Sequence, residues 1–171
     1  MPHVSERRWT KDVRMLVLQL NLNHCRAAQD VLAQTVREAK ADLAHLSEPH
    51  RAGSDNLWAV DLSGMAAIWS CSATVATMHS VHSAEGYVWA GIGGAWLYSC
   101  YLAPSSTSNE FERIMDCLGN DIRDRSDVFV AEDFNAWSKD WGCTRTNARG
   151  TVTDKLISTQ EVILIKNIYT L

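Results

Sequence analysis

The run Val13–Leu22, Val-Arg-Met-Leu-Val-Leu-Gln-Leu-Asn-Leu, constrains the fold more than any other stretch of the chain. It is too continuously apolar for a strand with one wet face, so it reads as a central strand covered on both sides. A sheet built on such a strand must lie between layers, and the next segment supplies one. From Arg26 to Lys40, Ala28, Val31, Leu32, Thr35, Val36 and Ala39 recur at helical spacing, with Gln29, Arg37 and Lys40 off that stripe. The spacing predicts an amphipathic helix lying on the sheet. A second strand, Asp42–Ser47, follows and runs into Glu48-Pro49-His50.

Between Leu57 and Tyr101 short runs of β-branched, aromatic and small residues alternate with Ser, Gly and Asp. Strands are expected near Leu57–Val60, Ala66–Ser70, Val75–Met78, Tyr87–Ala90 and Trp96–Tyr101, with Gly91-Ile-Gly-Gly94 as a hairpin turn. Five strands with no helix between them imply antiparallel pairing. Trp58, Trp69, Trp89 and Trp96 are expected as core or inter-sheet filling. Thr107-Ser-Asn-Glu110 is a capping-box pattern, and Phe111, Ile114, Met115, Leu118 and Ile122 then mark a second covering helix. A strand at Val128–Val130, a short helix at Thr151–Ser158 and a last strand at Val162–Ile165 complete the reading.

Composition excludes several functions. No stretch approaches the roughly 18 apolar residues needed to cross a membrane. Met1–Trp9 lacks an apolar signal core, so residues 1–12 are expected to be a disordered lead and the protein to begin in the cytosol. The five cysteines are odd in number and form neither a Cys-x-x-Cys pair nor a zinc knuckle. A net charge of −4 argues against a broad basic grip on nucleic acid. Any affinity for phosphate must therefore be local, and a divalent cation in an acidic site would provide it.

Polar groups gather where the strands end. Asp133 and Asn135 follow the Val128 strand; an acid there can hold a metal or a water, and an amide offers both an acceptor and a donor. The same residue types also make ordinary turns by bonding their own backbone. Asn21 and Asn23 close the first strand and Glu48 the second, where the following proline holds it extended. Tyr101 ends another strand, with its hydroxyl in reach of a shared site. Arg145, Asn147 and Arg149 lie in a polar segment suited either to a phosphate backbone or to plain solvation. His45, mid-strand, reads as a packed residue. His24, His45, His79 and His82 have no nearby carboxylate in the sequence to orient them.

Leu20–Asp30, Leu46–Pro49, Tyr98–Pro104, Glu132–Trp137 and Trp141–Gly150 together resemble the apurinic-endonuclease-like domain of non-LTR retrotransposons, part of the endonuclease/exonuclease/phosphatase family. The five motifs stand in the family's order over most of residues 13–165. The resemblance implies a DNase I-like, four-layered αββα sandwich lacking its C-terminal strands, with residues 166–171 a divergent tail. It implies Mg²⁺, or Mn²⁺, on Glu48, with Asn21 and Asn23 supporting the metal or a phosphate. Tyr101 would contact the scissile phosphate, and Asp133 with Asn135 would orient the attacking water. The implied activity is metal-dependent nicking of DNA in the nucleus.

The chain also departs from that family. Glu132 stands where the family has glycine, His50 where a tyrosine is common, and there is no Ser-Asp-His motif, whose His and Asp act on the water or phosphate. The alternative expectation is a truncated, inactive remnant that at most binds nucleic acid or a partner. The oligomeric state is not legible in the sequence.

Overall fold

The computed structural model describes residues 3–8, 14–72, 76–160 and 162–166. The central run becomes strand β2 (Arg14–Asn21), followed by helix α1 (Arg26–Ala39) and strand β3 (Leu43–Ser47). β2 and β3 are parallel, as a strand–helix–strand unit requires. Strands β4 (Trp58–Val60) and β5 (Ala66–Ser70) then pair antiparallel, and β5 lies against β3. The remaining strands β6 (His79–Ser83), β7 (Tyr87–Ile92), β8 (Ala95–Tyr101), β9 (Val128–Asp133) and β10 (Val162–Lys166) form the second sheet. Helix α2 (Ser108–Ile122) connects β8 to its parallel neighbour β9, and α3 (Ala148–Thr159) connects β9 to parallel β10.

Alternation along the strands sorts the layers. Met15 and Val17 of β2, Leu43 of β3, Ile68 of β5, Leu97 of β8 and Phe129 of β9 meet in one core between the sheets. Leu18, Leu20 and Leu22 point the other way and bury Leu32 and Val36 of α1. On the far side, Tyr98, Cys100, Val128 and Val130 face Phe111, Ile114, Met115 and Leu118 of α2. The result is a four-layered αββα sandwich with two five-stranded sheets, β1-β2-β3-β5-β4 and β10-β9-β8-β7-β6. Thr107 caps α2 with both halves of the expected capping box in place. The β7–β8 hairpin turns on Gly93 and Gly94, both at positive φ (59° and 90°), the backbone that a two-residue primed turn demands.

Several expectations need correction. Residues 1–12 are not simply a disordered lead: His3–Arg8 form strand β1, antiparallel to β2. Backbone pairing closes the open edge of β2 there, a force that no side-chain pattern advertises. The strand expected over Val75–Met78 is displaced. Val75 lies outside the described residues, Ala76–Met78 are irregular, and the strand begins at His79. β6 is an edge strand with an exposed, polar face and a register shift between His79 and His82, so it carries no alternation to read. The boundary drawn at residue 165 cuts β10, which runs to Lys166. The four tryptophans pack against the core, as expected, but on its outer layers and not between the sheets. Trp58 and Trp69 stack at 5.2 Å on the α1 side, and Trp89 and Trp96 lie on the α2 side with Arg125 over both rings.

Candidate active site

Four central strands, β2, β3, β8 and β9, bring their C-terminal ends to one rim of the sandwich, and four polar side chains meet there. Asn21 ends β2, Glu48 follows β3, Tyr101 ends β8 and Asp133 ends β9. The Asn21 amide nitrogen donates to Glu48 Oε2 at 2.9 Å and to Asp133 Oδ2 at 2.6 Å. Its amide oxygen accepts the Asn23 backbone N–H at 2.8 Å. Both amide protons and the carbonyl are thus employed, which fixes the orientation of the amide. One side chain holds together two carboxylates that are 85 residues apart in sequence.

The Tyr101 hydroxyl donates to Glu48 Oε1 at 2.7 Å. Burial, and then the carboxylate it donates to, push the phenol well above its ordinary pKa, so the oxygen keeps its proton and acts as a donor. Each Glu48 oxygen therefore has one protein donor and lone-pair capacity left for a further contact. The Glu48 side chain is 20% exposed and opens to solvent.

The backbone around these groups is strained. Among the described residues, Asn23, His24, Glu48 and Asn135 are four of the seven non-glycine residues at positive φ, and all four flank the site. Local hydrogen bonds hold the strain: Leu22 N–H to Ser47 O at 2.9 Å, His24 N–H to Glu48 O at 2.8 Å, and Glu48 N–H to Met65 O at 2.8 Å. Glu48 is therefore aimed by a left-handed backbone tied to two neighbouring loops, in place of the extended backbone expected before Pro49.

Other expected site residues have different partners. Asn135 donates from Nδ2 to Leu102 O at 3.1 Å. Asn147 is the N-cap of α3: its Oδ1 accepts from Gly150 N at 2.7 Å and from Trp137 N at 3.0 Å. Arg149 spends its guanidinium on the carbonyls of Leu102, Phe134, Pro104 and Ser106, at 2.8–3.4 Å, over the Phe111 ring. Arg145 is exposed over Trp137 at 4.5 Å, and Asn23 is exposed beside Asn21. Arg149 and Asn147 clasp the loop after β9, and that clasp is what holds Asp133 and Asn135 in place.

Three features escaped the sequence reading. His24 does have a carboxylate beside it: its Nε2 lies 3.8 Å from Glu48 Oε1. The link is made by loops 24 residues apart, so local sequence gives no hint of it. Next to it, Arg26, Gln29, Asp30, His50 and Arg51 line a cavity of about 360 Å³. Beneath the rim, Gln19 crosses between the sheets to donate to the Glu132 carbonyl at 3.1 Å, one residue before Asp133. Glu132 itself is buried, and its Oε2 accepts the Phe134 N–H at 2.8 Å. It turns the strand end and faces the α2 layer, away from the Asn21 cluster.

Among the described residues no three His, Cys, Asp or Glu side chains form a ready metal cage. A closed structural site for zinc is thus not what this rim offers. Two carboxylates with hard oxygen donors, open to water, fit instead a cation that takes one or two carboxylates and keeps much of its hydration. No helix among the described residues is long and apolar enough to cross a membrane.

No protein-family model and no curated protein matches the chain. Among solved structures, the endonuclease domain of TRAS1, a telomere-specific non-LTR retrotransposon, matches with a TM-score of 0.63 and 20% sequence identity. The match covers 83% of this chain and 68% of that one. The chain has the fold of that endonuclease domain, in agreement with the layered, DNase I-like architecture expected from its motifs.

Proposed function

We propose that this chain is a divalent-metal-dependent endonuclease domain of the non-LTR retrotransposon type, hydrolysing a DNA phosphodiester with Mg²⁺ or Mn²⁺ at Glu48. The observation that carries the reading is the single Asn21 amide donating to both Glu48 and Asp133 at the open meeting point of two sheets. The cation, when bound, offsets the charge that builds on the phosphate oxygens and acidifies a water.

The protein's own groups do the positioning. Asn21 fixes the two carboxylates relative to each other, and Tyr101, protonated, steadies Glu48 and lies at the mouth for the scissile phosphate. Asp133 orients the attacking water, with Asn135 beside it on a loop fastened by Asn147 and Arg149. Arg145 and Asn23, both exposed, are placed for the flanking DNA backbone. Hydrolysis leaves a nick whose 3′-hydroxyl primes reverse transcription of the element's RNA. A chain acting on chromosomal DNA works in the nucleus.

The test is nicking of supercoiled plasmid by the folded protein with Mg²⁺, beside Asp133→Ala and an EDTA control. Nicking by wild type alone supports the proposal. A folded wild type that leaves the plasmid intact sinks it and favours the inactive-remnant alternative.

A further inference from the structure

His24 sits on the rim of the site, half exposed, with no role in the family pattern described above. Its Nδ1 is 3.4 Å from the Pro49 carbonyl, and a carbonyl can only accept. The proton of the neutral ring is therefore on Nδ1, and the lone pair is on Nε2, the atom facing Glu48 Oε1 at 3.8 Å. That separation is too long for a hydrogen bond. Two cis ligand atoms each about 2.0–2.2 Å from an octahedral cation lie roughly 3 Å apart, a gap that a small rotation of the half-exposed imidazole closes.

The surroundings fit the same purpose. A metal-binding imidazole is typically held by a carbonyl or carboxylate on its other nitrogen, as Pro49 holds His24. The two residues are also joined directly, His24 N–H to Glu48 O, and both have left-handed backbones, at φ 55° and 47°. His50 Nδ1 lies 3.1 Å from the His24 carbonyl and braces the loop from behind. Strain at two non-glycine positions that meet across neighbouring loops is kept where it aims side chains.

Building on the proposed metal-dependent activity, we infer that His24 is a second protein ligand to the cation on Glu48, through Nε2. A nitrogen ligand biases the site away from Mg²⁺, which prefers an all-oxygen shell, and toward transition metals such as Mn²⁺. The full-length chain loaded with Mn²⁺ alone tests this by pulsed electron paramagnetic resonance. The expected spectrum carries a nitrogen coupling from a directly bound imidazole, and the coupling disappears in His24→Ala and in His24→Gln.

In parallel titrations, both variants should weaken Mn²⁺ binding about tenfold or more and Mg²⁺ binding about twofold or less. A wild-type spectrum with no nitrogen coupling, in a protein whose Mn²⁺ binding is lost in Glu48→Gln, overturns the role of His24 and leaves the proposed function standing. Nitrogen coupling that survives in His24→Ala also overturns it. Mn²⁺ affinity unchanged in Glu48→Gln overturns the metal site itself, and this inference with it.

Discussion

Lowering the pH from 7 to 5 should remove about 2 kcal/mol of stability through one side chain, His45. The imidazole is fully buried in β3, beside Gln19 of β2 and Ile68 of β5 in the strand registers. Among the described residues neither ring nitrogen has a hydrogen-bond partner. Burial lowers its pKa from 6.5 to about 4. Between those values the unfolded chain binds a proton that the folded chain refuses, so stability falls as pH falls. Each pH unit in that window costs about 1.4 kcal/mol, which gives about 2 kcal/mol between pH 6.5 and 5 and about 3 kcal/mol by pH 4. Stopping at pH 5 keeps the ordinary carboxylates ionised. The assay is urea unfolding followed by tryptophan fluorescence at pH 7, 6 and 5, for wild type and His45→Leu. Leucine nearly conserves volume and has no proton to bind, so the variant should keep its pH 7 stability at pH 5. Equal losses in the two proteins would refute the reasoning.

Asn21→Ala removes the one donor shared by Glu48 and Asp133; Mn²⁺ affinity and plasmid nicking should each fall about 10–100-fold, while the thermal midpoint barely moves. Arg149→Ala strips four loop carbonyls of their donor and should cost about 2–3 kcal/mol in urea unfolding, and Arg149→Lys should not restore it, because an ammonium cannot span the fork. Gly150→Ala would press a methyl group onto the Trp137 carbonyl, backbone against backbone, so a loss of about 3 kcal/mol or more is expected by the same measurement, together with loss of the Asp133 loop's order.

The contrast between Asn21 and Arg149 explains what the sequence disclosed. Elements with a buried face were legible because burial imposes a period: β2, β3, β9, α1 and α2 all fall within a few residues of their expected places. β1 and β6 were not: β1 joins its sheet by backbone pairing along β2, and β6 is an edge strand whose exposed, polar face carries no alternation. Side-chain role follows the same rule. The meeting of Asn21, Glu48, Tyr101 and Asp133 was legible because each stands at a strand end, and strand ends converge. The bonds of Arg149 and Asn147 are not legible, because a polar segment looks alike whether its donors face DNA, solvent or the chain's own carbonyls. His24 was passed over because its carboxylate lies in another loop.

One pattern within the strands does foretell the site. Along the inter-sheet face, β2 runs Met15, Val17, Gln19, Asn21, and β3 runs Leu43, His45, Ser47 before reaching Glu48. In the facing sheet β8 runs Leu97, Ser99, Tyr101, and β9 runs Phe129, Ala131, Asp133. Every series turns from apolar to polar toward its C-terminal end. Burying polar groups in one direction along four strands costs stability unless they find partners. Asn21, Glu48, Tyr101 and Asp133 find one another at the rim, and Gln19 finds the β9 backbone one layer below. That lower layer is the costly one: His45 pairs with Gln19 there, and among the described residues neither its ring nitrogens nor the Gln19 side-chain amide oxygen has a hydrogen-bond partner. A chain selected only to fold would fill that layer with leucine. That this one keeps Gln19 and His45 beneath two carboxylates joined by a single amide is a stability cost concentrated under the rim, where rigid placement of β9 decides how far Asp133 stands from Glu48.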